Sequence, residues 1–213
     1  MRAKFCCLVL LFVAIIGLCG VAEATLIIDT GSAENPATSG WAIFGSQWLA
    51  GGIDLAQAYT ITDIDIWAYS DNAAGSVLVS VFGDAAGAPD VNAPLYSTAF
   101  SVDAFSTNYA SWIGPSGLDW DLGPGFYWVA FSITEPGVYL TVPSPVPNPL
   151  EHYAFSSDFN GYKWYAASYL DWGLQVSGMP DGEGIVPEPA SLTLCCLGLV
   201  GLAGRAYSRR KRS

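Results

Sequence analysis

Between Thr25 and Ser177 apolar and polar residues alternate in short runs with period two, cut by Gly, Pro, Asn and Asp, and no long run repeats every 3.6 residues. That is a strand pattern. It is clearest at Thr60 to Ser70, where Ile64, Ile66 and Ala68 face one way and Asp63, Asp65, Trp67 and Tyr69 the other. Such alternation predicts a strand with one face on a core. Ser76 to Phe82 repeats it with Val77, Val79 and Val81 after the turn residues Asp71 to Gly75. Gly125 to Thr134 is nearly continuous in Phe126, Tyr127, Trp128, Val129, Ala130 and Phe131, which predicts a central strand covered on both faces.

The same reading places further strands at Thr25 to Asp29, Trp41 to Phe44, Gln47 to Ala50, Leu95 to Val102, Tyr109 to Ile113, Val138 to Val142, Glu151 to Ser156, Tyr162 to Tyr169 and Trp172 to Ser177. Gly51-Gly52 is read as ending a hairpin, Gly83 to Pro94 as a loop, and Gly114-Pro115-Ser116-Gly117 as a turn. Pro143 to Pro149 has too many prolines for a ladder strand. About ten short strands at regular spacing predict an all-β fold, two antiparallel sheets packed as a sandwich of jelly-roll type, with an up-and-down barrel as the alternative.

The two ends differ from this pattern. Arg2 and Lys4 precede the apolar run Leu8 to Gly20, and Ala22-Glu23-Ala24 offers the small-x-small pattern after which signal peptidase cuts. Residues 1–24 are therefore expected to be a signal helix that is removed. At the other end Pro187-Glu188-Pro189 leads into fifteen uncharged residues, Ala190 to Gly204, followed by Arg205 and the cluster Arg209-Arg210-Lys211-Arg212. Fifteen helical residues span about 22 Å, short of a bilayer core of about 30 Å, so the predicted transmembrane helix is a weak anchor. The basic cluster keeps its own side cytoplasmic and leaves the rest of the chain outside.

Motif, short apolar run and closing basic cluster together resemble the PEP-CTERM sorting signal of Gram-negative bacteria. The resemblance covers the tail, residues 187–213. It implies export, transient anchoring in the inner membrane, cutting near the motif by an exosortase, and release to the envelope, the surface or the extracellular polysaccharide matrix. The order of strands from Ile61 to Phe131 also looks like the jelly-roll ectodomains that accompany such tails. The expected organisation is signal peptide 1–24, sandwich ectodomain 25–177, flexible linker 178–186 and sorting signal 187–213.

Without its ends the chain changes character. Residues 25–185 hold seventeen acids against Lys163 alone, a formal charge of −16. Nucleic acid is excluded as a partner, because phosphate contact needs basic groups, and membrane contact is confined to the two terminal helices. All five cysteines lie in the signal or the tail, so the exported domain must hold together without disulfides. Its 26 aromatic residues can supply the buried area.

Chemistry is sparse. No Gly-x-Ser-x-Gly elbow is present, and His152 is the only histidine, which leaves neither a serine hydrolase nor a His-rich metal site. A secreted glycoside hydrolase needs only two carboxylates and remains open on that count. Calcium is the one cofactor the pattern admits. Asp63 with Asp65 and Asp119 with Asp121 put hard oxygen ligands two residues apart, the second pair in a predicted loop, although solvated surface explains both pairs better, the first above all. In the segment Tyr162 to Trp172, the rings of Tyr162, Trp164 and Trp172 are candidates for a platform on which sugar rings stack, with exopolysaccharide as partner. Alternation sends at least half of such rings into a core instead. Three functions compete: a non-enzymatic structural or adhesive surface protein, a carbohydrate-binding module, and a secreted hydrolase.

Overall fold

A computed structural model of the chain describes residues 24–70, 73–104, 109–133, 135–158, 161 and 163–181, without the side chains at 91 and 92. The predicted signal and transmembrane helices lie outside these residues. The described part is thirteen strands, every pairing antiparallel: β1 (Thr25–Asp29), β2 (Gly40–Phe44), β3 (Gln47–Leu55), β4 (Tyr59–Ser70), β5 (Gly75–Asp84), β6 (Pro89–Val102), β7 (Ser111–Ile113), β8 (Ser116–Leu122), β9 (Gly125–Ser132), β10 (Tyr139–Pro143), β11 (His152–Ser157), β12 (Trp164–Ala166) and β13 (Leu174–Pro180).

One layer runs β1-β13-β4, with β7 and β8 sharing the far side of β4. The other runs β6-β5-β9-β3, continued by β11 and β12. The end of β4 crosses between them, for Tyr69 and Ser70 leave the first layer and pair with Thr141 and Leu140 of β10, which pairs with β2. Hydrogen bonding is thus continuous round one side, but among the described residues the path ends at the edges β1 and β6. The architecture is sandwich-like and all-β, and no closed barrel forms among the described residues.

The alternation read from the sequence fills the space between the layers. Ile61, Ile64, Ile66 and Ala68 of β4 meet Val77, Val79 and Val81 of β5, Val129 and Phe131 of β9, and Leu174 and Val176 of β13 in one buried cluster. Ile61 and Ile64 are three apart, which strict alternation would send to opposite faces. A register shift between Ile61 and Asp63 against β8, matched by one at Ser177/Gly178 of β13, returns both to the core. Strand β9 lies between β3 and β5 and is covered on both faces, with Phe131 buried in the main core and Trp128 buried on the other side against Ala50, Ala130 and Ala154.

Several expectations are corrected. Gly51 and Gly52 do not end a hairpin; β3 runs through them because the space a side chain would take is filled. A Cβ on Gly52 would stand 2.5 Å from Phe126 Cζ and 3.0 Å from His152 Cβ, and one on Gly51 2.6 Å from Leu150 Cδ1. The expected loop before Leu95 is already strand from Pro89, and the prolines are tolerated because β6 is an edge. The expected turn at Ser116-Gly117 opens β8, where Leu118, Trp120 and Leu122 turn inward and Asp119 and Asp121 outward. The expected linker begins too early, since Gly178, Met179 and Pro180 still pair with Ile61, Thr60 and Tyr59.

Candidate functional site

The aromatic segment near residue 165 is divided by β12. Three residues of strand pair with β11 so that Tyr165 lies opposite Phe155 and Trp164 opposite Ser156. Successive strand residues point to opposite faces, which sends the two neighbours to different sides. Trp164 packs on the outer cluster with its ring 6.4 Å from that of Trp48. Trp172 is 0% exposed, its ring in edge contact with Phe131 at 5.9 Å and tilted against Tyr153 at 5.6 Å. Burial removes Trp172 from the expected platform, Trp164 is half-buried, and Tyr162, the third residue expected in it, lies outside the described residues.

The exposed rings are the ones between. Tyr165 is 45% and Tyr169 61% exposed. After β12, Ala167 N donates to Tyr153 O and Leu170 N to Ala167 O, a turn that buries Leu170 and leaves Tyr169 outside. There the Tyr169 ring stands 5.5 Å from Trp41 on β2 and 6.5 Å from Phe155, and Phe155 stands 6.1 Å from Tyr165. Four rings, Trp41, Tyr169, Phe155 and Tyr165, make one contiguous aromatic surface on the flank of the sandwich, tilted by 31° to 50° between neighbours. Exposed Lys163 precedes β12 and half-buried Asp171 follows the turn, offering a donor and an acceptor in the same stretch of chain.

Asp119 and Asp121 share the exposed face of β8 rather than a loop. Thr60 Oγ1 lies 2.9 Å from Asp121 Oδ1 and 3.0 Å from Asp181 Oδ1, and its single hydrogen can serve only one of them. Among the described residues no group of three or more His, Cys, Asp or Glu side chains could hold a metal ion. Asp63 and Asp65 share the outer face of β4, opposite Ser177 and Gln175 of β13. Burial, and secondarily the charge of Asp63, raise the Asp65 carboxyl above its ordinary 3.8.

The folded state therefore holds the Asp65 proton more tightly than the unfolded chain does. Its charge penalty is absent below the ordinary carboxylate range and complete above the raised value. Asp65→Asn should raise stability at neutral pH by up to about 1 kcal/mol, since the pair is only half-buried and solvent screens part of the repulsion. That gain should fade as acidification neutralises the wild-type carboxyl, which urea denaturation at pH 7 and pH 3 measures. A gain equal at both would show that charge is not its source.

Ala24 is the first described residue, exposed and directly ahead of β1; Ala22 and the motif Pro187, Glu188, Pro189 lie outside the described residues. What the described part defines is an acidic, sandwich-like β ectodomain with an exposed aromatic flank. Residues 186–212 match the PEP-CTERM protein-sorting motif, which marks the chain as an exported protein processed by exosortase and sorted to the cell envelope. No curated protein matches the chain.

Proposed function

We propose that the chain is a non-enzymatic adhesive protein, delivered outside a Gram-negative cell after signal peptidase and exosortase have acted, whose sandwich holds exopolysaccharide through Trp41, Phe155, Tyr165 and Tyr169. The observation that carries this reading is the exposure of Tyr165 and Tyr169 in one surface with two further rings. Water-exposed aromatic area of this kind is costly in a soluble domain unless something covers it. Pyranose rings cover it well, their C–H faces lying on the ring and their hydroxyls remaining in water. The charge of −16 on residues 25–185 favours neutral glycans over acidic ones.

A hydrolase is less well supported. Three clefts, at Phe44 to Tyr139, at Ser32 to Pro147 and at Asp84 to His152, are lined by one carboxylate each, Glu135, Glu34 and Asp84, where glycoside cleavage needs two. No cofactor enters the proposal, and the acidic pairs act in it as solvated surface.

The test is a glycan array probed with the full chain and with the Tyr165→Ala, Tyr169→Ala double variant. Neutral polysaccharide should be retained by the wild type and bound at least tenfold more weakly by the variant, a loss of about 1.4 kcal/mol. Equal retention by both, or retention of nothing, would leave a structural role in the envelope as the better reading.

A further inference from the structure

Strand β11 carries a second surface. His152 and Phe155 are three residues apart on it, so the histidine faces away from the aromatic flank. On that other side a cleft of about 260 Å³ is lined by Asp84, Gly87, Phe126, Trp128 and His152. The glycine at position 52 makes room for it, since Phe126 and His152 lie over the bare backbone there. Phe126 stands edge-on to both Trp128 and His152, with centroids 5.4 Å and 5.3 Å apart.

Asp84 is held in place at this cleft. Trp128 Nε1 donates to its Oδ1 at 2.9 Å, and Gly87 N lies 3.1 Å from Oδ1 and 3.2 Å from Oδ2. A buried indole thus orients a carboxylate whose residue is exposed, and Oδ2 keeps acceptor capacity. Orienting an acceptor before the ligand arrives removes part of the ordering cost of binding. His152, exposed at the rim, adds a second polar group that donates or accepts.

We propose that this cleft is a site for a single pyranose, the exposed end of a glycan chain. It rests on the glycan reading of the domain and adds to it a second contact of a different kind. Size decides between ring and chain, since the cleft falls below the roughly 300–1,000 Å³ of pockets for drug-sized ligands. Its chemistry is also that of a sugar site: the half-buried Phe126 ring for C–H groups, Asp84 Oδ2 for one hydroxyl, and an imidazole for a second. A phosphate or carboxylate ligand is disfavoured by Asp84, and an extended apolar ligand by the two polar groups.

Saturation-transfer NMR of the full chain in detergent, with the methyl glycosides of glucose, galactose, mannose and N-acetylglucosamine as probes, tests the site. At least one glycoside should receive saturation at millimolar concentration. Asp84→Asn and His152→Ala should each weaken it at least fivefold, whereas the Tyr165→Ala, Tyr169→Ala variant should bind it as the wild type does. His152→Ala is the safer variant because it leaves the Trp128 contact with Asp84 intact. Failure of all four glycosides to bind, binding that ignores both cleft variants, or binding lost with the tyrosine pair would overturn the proposal. Long glycans lost only with the tyrosine pair would leave the flank as the one binding surface.

Discussion

Changing Pro187, Glu188 and Pro189 to alanine should leave the full-length chain in the membrane and abolish its release. The matched region, residues 186–212, contains the motif, the apolar run and the whole basic cluster. Each part has a separate physical task. On this reading the cluster is expected to fix which side stays inside, the run of fifteen uncharged residues to hold the chain long enough to be cut, and the motif to be what exosortase reads. As a helix, fifteen residues would reach about 22 Å, short for a bilayer, which fits an expectation of transient rather than permanent anchoring. The alanine variant keeps the run and the cluster, so it should still insert. Fractionation of cells expressing either form, followed by immunoblotting of the ectodomain, reads the outcome: the variant accumulates as precursor in the membrane while the wild type appears shorter and outside. Release of the variant at the wild-type rate would make the tail a plain anchor.

How legible the fold was depends on where period two holds. Strands β4 and β5 were readable because each alternates over most of its length, and β9 because its unbroken apolar run fits a strand covered on both faces. Strand β8 was not read, although Leu118, Trp120 and Leu122 alternate with Asp119 and Asp121, because acids flanking one tryptophan look like a loop until β4 is seen beside them. Gly51-Gly52 failed for a related reason. Glycine is read as punctuation, and only the Phe126 ring and Leu150, distant in sequence, show that it was needed for space.

The candidate site shows the same limit at finer scale. The segment does present exposed rings, but they are Tyr165 and Tyr169, while Trp172 is buried. Trp164 and Tyr165 are neighbours, and a three-residue strand has no internal evidence for which of them points outward; only the pairing of Phe155 with Tyr165 settles it. Trp172 and Tyr169 differ through a turn whose hydrogen bonds reach back to Tyr153. The signal available in sequence was Ala166-Ala167 between two tyrosines, small residues that let the chain close on β11, and it was too weak to read alone.

Trp172→Ala should cost about 3–5 kcal/mol, the range for truncating a fully buried tryptophan, because both the transfer energy and the cavity count against it. The ring lies between Phe131 and Tyr153 in the main core, so neighbours from β9 and β11 would border the void. Tyr153 limits how far they can collapse. Its hydroxyl donates to Trp172 O at 3.1 Å and accepts from Leu150 N at 3.0 Å, and burial pushes its ionisation up to about 12. Both bonds involve backbone atoms and survive the substitution, holding the Tyr153 ring in place beside the gap. Against a typical total of about 5–15 kcal/mol, such a loss leaves a marginal domain. Tyr169→Ala removes an equally aromatic ring from the surface and should change stability by no more than about 0.5 kcal/mol. Urea denaturation of both variants, followed by circular dichroism because the first removes a tryptophan, compares them directly. If the two midpoints fall together, the division of this segment into a core ring and a binding ring is wrong, and the glycan reading of Tyr169 falls with it.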